Sequence, residues 1–169
     1  MPATREELFA HLAELGIATE TVEHEPVFTV GESAKLERKL SGGHTKNLFL
    51  KDAKGRLFLV VAESHTPVDL KGLHKKIGAA RLSFGRPELL MEVLGVPAGS
   101  VTALALINDN QKRVSVVVDQ RLMGYERINC HPLVNTATTS IARDDLLRFM
   151  RATGHDPLVA AIEGPGETG

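Results

Sequence analysis

The chain has little of what oxidised, membrane-bound or metal-dependent proteins require. Its one cysteine, Cys130, cannot form an internal disulfide. No apolar run approaches the roughly 18 residues of a membrane span, and Met1-Pro2-Ala3-Thr4-Arg5-Glu6-Glu7 lacks the charged-then-apolar form of a signal peptide. Together these absences point to the cytoplasm. There is no Gly-x-Ser-x-Gly elbow and no Cys-x-x-Cys pair, and the seven histidines never take His-Glu-x-x-His spacing. Serine-triad and metal-dependent hydrolysis are therefore disfavoured, and no metal or other cofactor is expected. Internal repeats and linkers are also missing.

What is present suits one globular domain. The 169 residues are 43% apolar and 24% charged, enough to bury a real core. Net charge is −1, but it is unevenly spread. Between Lys35 and Arg86 stand 12 Lys and Arg against 4 Asp and Glu; the remainder holds 8 against 17. A basic segment inside an acidic whole suits a limited contact with an RNA end, though a solvated basic face would look the same.

The chain is organised around Ser41-Gly42-Gly43-His44-Thr45-Lys46-Asn47-Leu48-Phe49-Leu50-Lys51. A small, flexible Ser-Gly-Gly entry leads into an apolar strand over 45–51. Lys46 then sits at the mouth of a rigid element and faces a Gly-rich opening. Phosphate-binding and catalytic lysines need such a setting, although most lysines at strand starts are merely solvated. Asp52-Ala53-Lys54-Gly55 reads as a hairpin turn into a second strand over 56–62, and the apolar runs predict a sheet covered on both faces.

Elsewhere, Thr4 and Glu7 form a capping box for a helix over 5–15. Residues 17–24 read as a strand, and Thr29 caps a helix running to about Leu40. Thr66, Pro67 and Asp69 open a helix with Leu70, Leu73 and Ile77 inward and Gly78 at its end. Lys71 and Lys75 share its outer face. With Lys51 and Arg81 they are candidate contacts to nucleic-acid phosphates. Arg81–Phe84 is a short strand, and Pro87–Leu94 a helix stopped by Gly95. Residues 103–107 and 114–119 read as strands, 126–131 and 136–142 as two sheet edges, and 143–151 as the last helix. The expected fold is α/β (α+β): a single-domain, mixed, barrel-like sheet with helices packed outside. The tail from residue 161 to 169 is expected to be mobile.

Cys130 and His131 invite a nucleophile–base reading. Adjacent strand residues point to opposite faces, so the two cannot form a dyad. Cys130 reads as a small core residue.

Three segments carry a resemblance: Thr45-Lys46-Asn47-Leu48-Phe49-Leu50, Gly95-Val96-Pro97-Ala98-Gly99-Ser100-Val101-Thr102, and His131-Pro132-Leu133-Val134-Asn135-Thr136-Ala137-Thr138. Their order and separations are similar to those of the YbaK/prolyl-tRNA-synthetase-associated editing domains. Within that family the chain most resembles the free-standing Ala-tRNA(Pro) deacylases, the ProXp-ala/PrdX group. The resemblance implies an editing domain over 1–160 that hydrolyses the ester of a mischarged tRNA.

It also implies roles. Lys46 would orient the ester, and the backbone near Gly99 and Ser100 would stabilise the oxyanion. Thr45, Asn47, Val101, Thr102, His131, Asn135 and Thr136 would line the substrate pocket. The tRNA(Pro) acceptor stem and 3′ end, and prolyl-tRNA synthetase, are the implied partners; DNA and membrane are not. The sequence departs from the family at Ala103, where many members carry proline. The segments leave the acyl group open between alanine, cysteine, serine and threonine. They also leave open a non-catalytic tRNA-binding module and an accessory partner of the synthetase.

Overall fold

A computed structural model describes residues 2–26, 35 and 40–164. The helix expected from Thr29 to Leu40 lies outside the described residues, apart from Lys35 and Leu40. Helix α1 (Arg5–Glu14) starts from the expected capping box: the Thr4 hydroxyl accepts from Glu7 N–H, and the Glu7 carboxylate accepts from Thr4 N–H. Leu8 and Leu12 are its buried residues. Strand β1 (Thr19–Glu23) follows.

Strands β2 (Gly43–Asp52) and β3 (Leu57–Glu63) form the expected hairpin. Gly55 closes its turn at φ 85°, a conformation that favours glycine. Asp52 anchors the turn. Burial alone would raise its carboxyl, but hydrogen bonds from the Arg56 and Ala80 amides, the Arg56 side chain and the Lys54 amide outweigh that and hold it at about 2.

The Ser-Gly-Gly entry is not a flexible leader. Gly43 already belongs to β2, where a Cβ would lie 2.7 Å from the Tyr125 ring; at Gly42 it would lie 2.8 Å from the Arg127 carbonyl oxygen. Both glycines serve close approach rather than motion.

Helix α2 (Leu70–Ile77) begins later than the sequence suggests, because Asp69 caps it. Thr66 is taken by another partner: its hydroxyl donates to buried Asp119 Oδ2 at 2.6 Å. Gly78 ends the helix in the left-handed conformation, as expected. Strand β4 (Leu82–Phe84) and helix α3 (Pro87–Leu94) match expectation. Residues Ala103–Asn108 do not form a strand. Thr102 caps them as a buried 3-10 helix, since its hydroxyl accepts from Leu104 N–H at 3.3 Å. The apolar run is short and buried on all sides, so its periodicity does not separate strand from helix.

Strands β5 (Val114–Asp119), β6 (Arg127–Cys130) and β7 (Ala137–Ala142) and helix α4 (Arg143–Ala152) follow, then a short β8 (Leu158–Ala160). The eight strands found among the described residues form one mixed sheet in the order β1-β7-β6-β2-β3-β5-β8, with β4 added beside β2. Among the described residues its end strands do not pair with each other, so the sheet stays open rather than closing into a barrel.

Every residue of β3 is buried, so both faces are covered as expected. The larger core holds Phe49, Leu59 and Val61 with residues of α1, α3 and α4. The smaller core holds Leu50, Val60 and Ala62 with Leu73 of α2. The segment expected to begin the tail stays packed: Ile162 is buried, and Gly164 N–H donates to the Pro67 carbonyl at 2.7 Å.

Candidate active site

Strand β2 carries two different partners along one edge. At its start it pairs in parallel with β6, Gly43 with Ile128 and His44 with Asn129. At its end it pairs antiparallel with β4 over Leu50–Asp52. Between these ladders β6 and β4 diverge and leave a fork beside residues 45–49. The His44 carbonyl accepts from Ser64 N–H on the β3 side at 2.8 Å, and the Phe49 carbonyl accepts from Gly85 N–H on the β4 side at 2.9 Å. Even-numbered peptide groups of β2 thus turn to β3, and odd-numbered ones to the fork. The Asn47 peptide faces the gap between the two ladders, and its side-chain Oδ1 is buried without a partner among the described residues.

Side chains alternate across the strand. Phe49 joins the larger core, while Lys46 lies on the same face as Leu48 and Leu50. The β2–β6 ladder ends at His44 and Asn129; the Thr45 hydroxyl lies beside the Cys130 thiol, so by alternation the next residues, Lys46 and His131, both point to the other face. Lys46 is half-buried, and its ammonium has no hydrogen bond or ion pair among the described residues. Thr45 faces the other way, its hydroxyl donating to the Asn129 carbonyl at 2.8 Å.

His131 Nδ1 lies 3.2 Å from the Ala137 carbonyl oxygen. Burial lowers its pKa below 6.5 and the charge of nearby His24 lowers it further, against the raising effect of the Ala137 carbonyl. His131 is therefore neutral at pH 7. Burial pushes the Cys130 thiol up to about 12 despite the Thr45 hydroxyl beside it, so it is no nucleophile at neutral pH.

The remaining expected residues divide. Gly99 meets Asn135: a Cβ at Gly99 would lie 3.4 Å from Asn135 Nδ2. The middle and last segments of the motif set are thus in contact. Ser100 is buried and gives its N–H to the Pro97 carbonyl at 2.9 Å. Thr102 is fully buried with its hydroxyl committed to the cap, and Val101 packs against the larger core. Thr136 is exposed, and its carbonyl accepts from His24 N–H at 2.9 Å. Lys71 and Lys75 are exposed on α2, while Lys51 and Arg81 line a separate hollow beside β4.

Two features escaped the sequence reading. His24 Nε2 lies 2.8 Å from Thr138 Oγ1, tying the end of β1 to the His131 segment. Leu133, nearly buried, has φ 72°, uncommon for a branched side chain. Held strain of that kind concentrates at binding sites. His24 stands before Glu25-Pro26, which reads only as a strand breaker, and nothing in the residue type of Leu133 signals its backbone.

Comparison with known proteins bears on this geometry. A family model described as the aminoacyl-tRNA editing domain matches residues 24–149. The chain belongs to that family. Its members are deacylases of mischarged tRNA, and the fork, Lys46 and His131 lie within the matched residues.

The chain is 43% identical to "Prolyl-tRNA synthetase associated domain-containing protein 1" of Danio rerio over 161 residues, 94% of this chain and 88% of that one. It is 38% identical to "Prolyl-tRNA editing protein ProX" of Acetoanaerobium sticklandii, over 89% of this chain and 93% of that one. A solved structure described as a candidate trans-editing enzyme for prolyl tRNA synthetase shares the fold. Its TM-score is 0.70 at 20% identity, covering 96% of this chain and 99% of that one. No described helix of this editing domain is long and apolar enough to cross a membrane.

Proposed function

We propose that this editing domain acts in trans on tRNA(Pro) and removes alanine, with Lys46 holding the 3′ end. The observation that carries the proposal is the half-buried Lys46, without a partner among the described residues, where β2 leaves β6. An aminoacyl ester is already activated. Its hydrolysis needs a held ester, charge stabilisation and a placed water. The unpaired Lys46 ammonium meets the terminal phosphate or the ester carbonyl. Backbone donors near Gly99 stabilise the oxyanion; loss of one such donor typically costs roughly 100- to 1,000-fold in rate. With the Ser100 amide committed to Pro97, the donors on its two sides carry that role. The ribose hydroxyl of the tRNA helps activate the attacking water.

Neutral His131 lines the acyl pocket beside Lys46, while the Asn47 side chain points to the other face of β2 with Thr45 and Phe49. Selection of alanine follows from the limits of the synthetase, since a missing methylene is worth only about 1–3 kcal/mol in binding. A second site that admits small side chains and excludes proline supplies the rest.

The test is deacylation of tRNA(Pro) charged with alanine, cysteine or serine, by wild type and Lys46→Ala. The expected result is preference for alanine and loss of activity in Lys46→Ala with an unchanged melting temperature. Full activity in Lys46→Ala would overturn the mechanism, and preference for another acyl group would overturn the substrate.

A further inference from the structure

On the face of β2 that carries Lys46, the two directions along the strand differ. Toward the strand's start the neighbours are polar and already engaged. His44 Nε2 donates to the Leu40 carbonyl at 2.9 Å, since a carbonyl only accepts. Beside His44 on β6 stands Asn129, whose Nδ2 donates to the Ser41 carbonyl at 2.9 Å. Asn129 is only 4% exposed, so the ground before Lys46 is filled. His131, two residues further on, is held to the Ala137 carbonyl through Nδ1.

Toward the middle of the strand the next side chain on that face is Leu48. It is partly exposed, although it packs against the smaller core and its β3 partner Val60 is fully buried. The fork is what uncovers it. The β6 ladder has ended at His44 and β4 begins only at Leu50, so among the described residues no strand pairs with Leu48 on that edge. Lys46 itself pairs across β3 with Ala62, whose side chain is a single methyl. Leu48 stands two residues from Lys46, roughly 7 Å along the strand. It cannot retreat, because Val60 beside it and Leu50 beyond it have no exposed surface.

An aminoacyl ester is two-sided in the same way: its ribose end is polar and its alanine side chain apolar. We propose that Leu48 is the specificity-determining residue of the acyl pocket. With the ester held at Lys46 and the ribose on the polar side, the alanine methyl rests on the Leu48 side chain, and longer acyl side chains strike it. The inference rests on the deacylase reading and adds to it the residue that sets the size limit.

The experiment uses tRNA(Pro) charged with glycine, alanine, 2-aminobutyrate or norvaline, a series in which the acyl side chain grows by one carbon at a time. Deacylation kcat/KM is measured for each with wild type, Leu48→Ala, Leu48→Met and Leu48→Phe. The readout is the ratio between two acyl groups on one protein sample, so the folded fraction cancels and a purely structural loss leaves the ratio unmoved. Leu48→Ala should raise the norvalyl-to-alanyl ratio by about 10-fold or more, since one methylene in an apolar pocket is worth roughly 10- to 200-fold. Leu48→Phe should lower the alanyl-to-glycyl ratio by about 10-fold or more. Leu48→Met, close in volume, should keep the wild-type order.

An unmoved norvalyl-to-alanyl ratio in Leu48→Ala overturns the inference and leaves Leu48 a packing residue. Where that variant does not fold, an unmoved alanyl-to-glycyl ratio in Leu48→Phe does the same. Wild-type protein that hydrolyses none of the four esters defeats the deacylase reading and this inference with it. Wild-type activity with unmoved ratios defeats the inference alone.

Discussion

At the scale of single residues, neutral His131 is the group whose charge matters most. Its burial, and then the charge of His24, depress its pKa below 6.5, so the native state binds fewer protons there than the unfolded chain. The stability it contributes is complete above pH 6.5 and is lost as pH falls from there through the depressed value. If the pocket needs neutral His131, the acid limb of kcat/KM lies below pH 6.5. Replacing His24 with Asn removes one lowering influence and moves that limb upward. A pH–rate profile of both proteins checks this, and an unmoved limb would separate His24 from the titration.

Lys46 stands out in the sequence through the three resembling segments, since a lysine at a strand start is by itself most often merely solvated. His24 was not legible, because its partners Thr136 and Thr138 are more than 100 residues away in sequence.

At the scale of elements, local rules worked where the local partner won. The capping box of α1 and the Gly78 stop of α2 are of that kind. They failed where a distant group competed: Thr66 looks like a cap, but buried Asp119 takes its hydroxyl and leaves Asp69 to start α2. The Ala103 departure has a simple backbone meaning. Ala103 is the first residue of its 3-10 helix, and Thr102 before it is extended at φ −156° and ψ 151°. The first helical position tolerates proline, and an extended preceding residue is what proline demands. Ala103→Pro should therefore fold unchanged, with stability raised by about 0.5 kcal/mol through the unfolded chain. Urea denaturation tests this. A loss above about 2 kcal/mol would mean that the added ring carbons overfill a site with no exposed surface.

At the scale of the whole molecule, residues 158–164 are structural. Strand β8 pairs in parallel with β5, and Ile162 fills the smaller core beside Leu73 and Val117. The Gly- and Glu-rich end hides this, since three strand residues and one isoleucine make too short a pattern to read. Ile162→Ala should cost about 2–5 kcal/mol in urea unfolding, as a buried truncation does. A cost under 0.5 kcal/mol would return the segment to the status of a tail. The hairpin and both core faces were plain in the sequence. The fork was not, because it depends on two strands, Leu82–Phe84 and Arg127–Cys130, that come from separate parts of the chain.

The fork also bears on how the protein avoids sticking to itself. Unpaired strand edges recruit other strands, and aggregation follows when several successive peptide groups are bare. Here the bare stretch of β2 is bounded by β6 on one side and β4 on the other. Among the described residues the Asn47 peptide faces the gap between them, and the two ladders leave a foreign strand little length to pair with. A catalytic mouth cut into the middle of a sheet can thus stay open to a nucleotide and closed to another polypeptide.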